Sequence, residues 1–281
     1  MNAVVTPPPS LQDHALPSEA DIIARRFGGM ERLYGVQGAA AVRQAHVVVV
    51  GIGGVGSWAA EALARSGVGA LTLIDMDHVA ESNINRQIHA LDDTVGQAKV
   101  LAMQERIRHI HPQCRVAPVD EFVTADNWLP LIEQAGQALG PVTAVLDACD
   151  QMSAKTTMAA WALAQGRQVS FITVGAAGGK RHAQRVEVED LALATHDPLM
   201  AQLRQRLRKH HGARRDGKPI GLTCVFSRET VAPPDASCAI EGDGSLNCHG
   251  YGSMVSVTAT FGLCAAGWLI DRISQKSTLY S

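Results

Sequence analysis

Four glycines and a run of polar residues downstream of them are the part of this chain best equipped for chemistry. Gly51, Gly53, Gly54 and Gly56 fall within six positions, and Asp75 lies nineteen positions after Gly56. In a turn that opens a helix, backbone amides point at an anion and the helix dipole favours negative charge. Side chains at those turn positions would block a phosphate. An acid at that distance is where a nucleotide-binding βαβ unit places its acceptor for ribose hydroxyls. Asp77, Asn83, Asn85, Arg86 and Gln87 follow in an unusually polar loop, and Lys99 sits early in the next helix. Arg86 and Lys99 suit the neutralisation of a triphosphate and of its developing charge, a demand that pyrophosphate-bridged NAD makes far less strongly. Both are expected at a solvent-facing crevice. Asp147 and Asp150 end a later apolar run. Asp150 is placed to hold Mg²⁺ against phosphate oxygens, and Asp147 to cap the helix that begins near Ser153.

These residues need a scaffold, and the hydrophobic pattern predicts one. Val47–Val50 is a β-branched run, too short for a helix and apolar enough for a strand buried on both faces. Helical periodicity runs from Val55 to Arg65 until Gly67 stops it, and a second strand spans Leu71–Ile74. Helices over 95–109, 128–139 and 154–165 alternate with strands over 116–123, 143–146 and 168–174. That alternation predicts an α/β fold with a doubly wound, Rossmann-like and mostly parallel sheet. A helical arm over 21–44 precedes the first strand and carries Arg26 and Arg32, and a C-terminal, substrate-side extension follows the core. Residues 21–281 are expected to form one domain, with the nucleotide-binding core over about 45–175 and the substrate side over about 176–270. Residues 1–20 are proline-rich, aperiodic and without signal-peptide features, so a disordered tail is expected there.

Composition limits the partners. The chain has 281 residues, 46% of them hydrophobic and 19% charged, and a net charge of −2. No global field draws nucleic acid or membrane, so such a partner has to be met by a local patch. One exists at residues 204–218, where Arg204, Arg206, Arg208, Lys209, Arg214, Arg215 and Lys218 oppose the single acid Asp216. Arg204 and Arg208 share a helix face at i, i+4, and the segment is expected to follow a phosphate backbone. The six cysteines include no CxxC pair, which argues against a zinc ribbon and a secreted disulfide framework and for a reducing cytosol. Tyr251–Ile270 has twenty residues without a charge, but its serines, threonines and three glycines favour a buried helix over a membrane span.

GIGGVGSWAAEALARSGVGALTLIDMD, SNINRQ, VGQAK and LDACD together resemble the ThiF/MoeB/HesA superfamily of ATP-dependent carboxylate-adenylating enzymes, which includes the ubiquitin-activating enzymes. Within it, RRFGGMERLYG, NRQIHAL, DPLM and LTCVFSRE are similar to the branch of tRNA threonylcarbamoyladenosine dehydratases, also described as CsdL- or TcdA-like. The resemblance implies adenylation of the threonyl carboxylate of that nucleoside in tRNA, followed by intramolecular cyclisation with loss of AMP. By its motifs Gly53 and Gly54 face the phosphates, Asp75 the ribose, Asn85, Arg86 and Lys99 the triphosphate, and Asp150 the Mg²⁺. It also implies a homodimer in which an N-terminal arginine, Arg26 or Arg32, enters the partner's site. Zinc is not expected, because relatives that bind it carry two CxxC pairs. That departure also weakens the alternative, a sulfur-carrier-protein adenylyltransferase. Cys224, in LTCVFS, and Cys248, in SLNCHGYGS, are the thiols a sulfur relay with a cysteine desulfurase would use, although each is first read as a small buried residue.

Overall fold

The computed structural model describes residues 18–215, 217–235, 237 and 251–276. The expected N-terminal tail and Cys248 therefore lie outside the described residues, apart from the end of the tail. Ser18–Ala20 belong instead to the start of the arm, where the Ser18 side chain and Asp21 form a capping box on α1 (Glu19–Gln44). Gly35, at φ 72°, kinks this helix into two parts.

The strands are β1 (His46–Val50), β2 (Ala70–Ile74), β3 (Arg115–Val119), β4 (Ala144–Asp147), β5 (Ser170–Val174), β6 (Val186–Asp190) and β7 (Thr223–Ser227). They form one sheet in the order β3-β2-β1-β4-β5-β7-β6, with only β6 antiparallel to its neighbour. The helices after α1 are α2 (Gly56–Arg65), α3 (Lys99–Ile110), α4 (Trp128–Leu139), α5 (Met152–Gln165), α6 (Pro198–His210) and α7 (Val255–Lys276).

The valines of β1 explain why this strand is central. Val47 and Val49 join the apolar layer made with α2, α3 and α7, while Val48 and Val50 join the layer made with α4, α5 and α6. Side chains alternate across a strand, so a strand covered on both faces has to be apolar at every position. The uncharged tail becomes α7, whose Val257, Phe261, Ala265, Ala266 and Leu269 are fully buried in the first layer. Among the described residues no helix is long and apolar enough to cross a membrane.

Most boundaries fall within two residues of the sequence expectation, and three features depart from it more clearly. Helix α3 begins at Lys99 rather than near 95, because Gly96 takes φ 87° in a turn closed by Gln97 N–H on Thr94 O. Strand β3 stops at Val119, just before the charged pair Asp120 and Glu121. Asp147 does not cap α5: it is the last residue of β4, and Gln151 occupies the cap position without a side-chain bond.

β1 connects outward to β2 on one side while β4 lies on its other side, so the winding reverses between β1 and β4. In an open α/β sheet the crevice outside the carboxyl ends of such strands is where ligands bind.

Candidate active site

The glycine turn fills that crevice, and its glycines do different work. Gly51 has φ 84°, and a Cβ there would lie 2.8 Å from the backbone of Ala148 and Cys149, the loop that leaves β4. A Cβ on Gly56 would collide with the carbonyl of Gly51. These two let backbone segments touch. Gly53 has nothing within 4 Å of that position, so it faces open space, and Gly54 lies against Thr258 and the Arg86 side chain. The amides of Gly53, Gly54 and Val55 make no hydrogen bond among the described residues. Three unpaired N–H groups at the start of α2 are free to accept an anion, and the helix dipole favours one there.

Asp75 borders the turn. Ile52 N–H donates to its Oδ2 at 2.6 Å and Asp77 N–H to its Oδ1 at 2.8 Å. Burial raises its carboxyl above the usual range, opposed by the Lys99 charge and the two amides. Lys99 is the first correction within the site. It is 6% exposed, at the first position of α3, and its Nζ donates to Asp77 Oδ2 at 2.7 Å. Its charge is thus held beside the turn by a carboxylate instead of by solvent.

The polar loop divides into two groups. Asn85 and Arg86 face the crevice: Arg86 Nη1 donates to Ser82 O and Asn85 Oδ1, and Asn85 Nδ2 donates to Ser253 O. Trp58 Nε1 fixes the backbone by donating to Arg86 O at 3.0 Å. Asn83 and Gln87 are buried. The Asn83 side chain accepts from Ala80 N–H and shapes the loop, and Gln87 Oε1 has no partner among the described residues.

At the end of β4 sits a cluster that sequence reading missed. Asp147, Lys155 and Thr173 are all fully buried. Lys155 Nζ donates to Asp147 Oδ2 at 2.8 Å and to Thr173 Oγ1 at 3.0 Å, and Thr173 Oγ1 donates to Asp147 Oδ2 at 2.6 Å. Burial works to lower the Lys155 ammonium pKa, but the charge and hydrogen bond of Asp147, joined by Cys149 and Asp197, leave it raised. A lysine among Ala154, Met158, Ala159 and Ala162 was the available signal, because a charge on an apolar helix face needs a buried partner. Asp150, three residues on, is exposed and makes no hydrogen bond or ion pair among the described residues. Among those residues no three His, Cys, Asp or Glu side chains gather as metal ligands. A single carboxylate is the donor set that Mg²⁺ takes when phosphate and water supply the rest, so Asp150 fits a metal that arrives with a triphosphate.

Other expected residues lie elsewhere. Cys224 is enclosed in β7, and burial pushes its thiol up to about 12, the environment of a core residue. Arg26 donates to Ile110 O at the end of α3, on the amino-end side of the sheet and away from its own glycine turn, and Arg32 is exposed on α1. A cavity of about 720 Å³ lies there too, lined by Arg26, Phe27, His89 and Arg106. The basic segment is also remote. Helix α6 starts where Asp197 accepts from Ala176 N–H, just past the carboxyl end of β5. It then runs about 20 Å toward the opposite end of the sheet. Arg204 is half-buried and donates to Leu191 O and Ala194 O, and Arg208 donates to Arg214 O, so both tie the chain together. Lys209, Arg214, Arg215 and Lys218 remain exposed.

A family model described as the ThiF family matches residues 29–281. The chain belongs to the ThiF family. The tRNA threonylcarbamoyladenosine dehydratase of Escherichia coli K12 is 43% identical over 267 residues, covering 92% of this chain and 97% of that protein. A crystal structure of the Escherichia coli enzyme, TcdA, in complex with ATP has a TM-score of 0.80 at 41% identity, covering 95% of this chain and all of that one. By contrast, a molybdopterin-synthase adenylyltransferase of Salmonella typhimurium matches at 39% identity over 127 residues, only 45% of this chain and 48% of that protein.

Proposed function

We propose that this chain is an ATP-dependent tRNA threonylcarbamoyladenosine dehydratase. The observation that carries the reading is the trio of unpaired amides at Gly53, Gly54 and Val55, with Arg86 beside them at the switch point of the sheet. ATP enters with its phosphates on those amides, its ribose hydroxyls on Asp75, and its triphosphate charge facing Asn85, Arg86 and Lys99. A carboxylate is a poor acylating group until one of its oxygens can leave as AMP. The threonyl carboxylate therefore attacks the α-phosphorus, pyrophosphate departs, and an intramolecular nucleophile closes a cyclic hydantoin or oxazolone as AMP leaves. Net, one water is removed from the nucleoside. In-line displacement needs alignment and charge neutralisation more than covalent help, which is what a cation pair beside an amide turn supplies. Mg²⁺, held by Asp150, would neutralise phosphate charge.

The wider assignments belong to the same reading. The enzyme acts in the cytoplasm as a ligase-type, AMP-forming catalyst and as a homodimer, with Arg26 or Arg32 reaching the partner's crevice. The exposed cations of the 204–218 segment bind the tRNA backbone. A cysteine desulfurase partner would have to use a thiol other than Cys224. ATP–pyrophosphate exchange with and without tRNA carrying threonylcarbamoyladenosine tests the core of the proposal: exchange should depend on that tRNA. Exchange driven by a small sulfur-carrier protein instead would establish the adenylyltransferase alternative.

A further inference from the structure

One buried carboxylate governs the loop that carries Asp150. Asp147 accepts from Lys155 Nζ and Thr173 Oγ1 on Oδ2, and from Cys149 N–H at 3.2 Å and Cys149 Sγ at 3.1 Å on Oδ1. Lys155 holds the loop at both ends, since its own N–H donates to Gln151 O at 3.0 Å. Between those two anchors lie only Ala148, Cys149 and Asp150. This short loop is also the floor of the glycine turn: Ala148 N–H donates to Val50 O at 2.8 Å, and Gly51 packs directly against Ala148 and Cys149.

A buried ion pair is poor glue, because well-packed apolar residues of similar volume hold a core as well or better. What it supplies is direction. Two donors from α5 and β5 fix the Asp147 carboxylate, two from Cys149 tie the loop to it, and Asp150 is the only acid between the anchors.

We propose that Lys155, Asp147 and Thr173 form a positioning unit that sets Asp150 for a metal-bound triphosphate. The proposal rests on the reading of the crevice as an ATP site with Asp150 on the metal. None of the three touches the nucleotide. They act through the loop.

The test is calorimetric titration of the full-length protein with ATP, with and without Mg²⁺, in Thr173→Val, Thr173→Ser and Asp150→Asn. Thr173→Val removes one donor from Asp147 at constant volume. Its ATP affinity without metal should stay within about twofold of the parent, while the gain in affinity on adding Mg²⁺ should shrink about tenfold, as for other groups that orient a metal ligand. Thr173→Ser restores the hydroxyl and should restore the gain. A merely structural role predicts a lower melting temperature with the Mg²⁺ gain intact, and that result would overturn the proposal. Equal loss of affinity with and without Mg²⁺ would overturn it as well. Asp150→Asn separates the two layers. If it abolishes the gain and Thr173→Val does not, the positioning role fails alone. If it leaves the gain untouched, the metal assignment fails and takes the positioning role with it. Should Thr173→Val not fold, the pair Asp147→Asn with Lys155→Met removes both charges together and is read against the same outcomes.

Discussion

Two lysines flank the crevice, and each holds one carboxylate. Lys99 reaches Asp77 at 2.7 Å, and Lys155 reaches Asp147 at 2.8 Å. The distances match and the surroundings do not: the Asp77 side chain is 54% exposed, whereas Lys155 and Asp147 are both 0% exposed. Around the first pair, water or an incoming phosphate can take the place of the carboxylate at small cost. Around the second, neither charge can leave without stranding the other. The same two residue types thus make an exchangeable contact on one side of the glycine turn and a permanent one on the other.

Breaking the permanent contact should have the largest effect. Lys155→Ala leaves a buried carboxylate without its counter-charge, and such a loss costs about 3–5 kcal/mol. Chemical denaturation should register it as a lower midpoint at an unchanged slope, and a midpoint within error of the parent would erase the distinction between the pairs. Breaking the exchangeable contact should spare the fold and stop the chemistry. Lys99→Ala is expected to cost less stability than Lys155→Ala, because the carboxylate it releases, Asp77, is solvated. Lys99→Ala and Arg86→Ala should each raise the barrier to adenylation by about 2.7–4 kcal/mol. Normal ATP–pyrophosphate exchange in either variant would remove that residue from the triphosphate site.

The Lys99 side also has a pH signature. His89 is almost completely enclosed, and burial together with the charges of Lys99 and Arg106 pushes its imidazole from 6.5 down to about 4. Between those values the unfolded chain binds a proton that the folded chain does not. Stability is therefore present above pH 6.5 and is lost as the pH falls toward 4, by up to about 3 kcal/mol. His89→Leu should flatten this part of the stability curve, measured by denaturant unfolding at stepped pH, and an unchanged slope would show that other groups control it. The smallest effect is expected farthest from both lysines. Reversing Arg214 and Arg215 to Glu should weaken tRNA binding and flatten its salt dependence while ATP affinity holds. Unaltered tRNA affinity at low salt would exclude the segment from the binding surface.

These contrasts also mark what the sequence could reveal. The glycine turn, β1 and Asp75 are legible because their determinants are local: a valine run, four glycines and an acid within thirty positions. The Lys155 cluster is not, because its members come from β4, α5 and β5, with Asp147 and Thr173 separated by 26 positions. Their approach is created by strand pairing. For the same reason Arg204 looked like a free cation, although two carbonyls of the chain ahead of α6 claim it. Cys224 resembled a nucleophile in its motif and proved to be an inward-facing residue of a covered strand. Spacing along the chain announces a side chain's chemistry, and only the fold decides whether solvent or a partner meets it.

The two outer strands of the sheet have one more consequence. β3 carries Pro118 as its fourth of five residues, which removes a backbone donor, and β6 carries Glu187, Glu189 and Asp190 along a five-residue strand. Short, proline-bearing or acidic margins are how β-proteins avoid recruiting a foreign strand. Neither margin invites intermolecular β-pairing, so the sheet is guarded against edge-on aggregation. Self-association of this chain is left to its helical faces and loops.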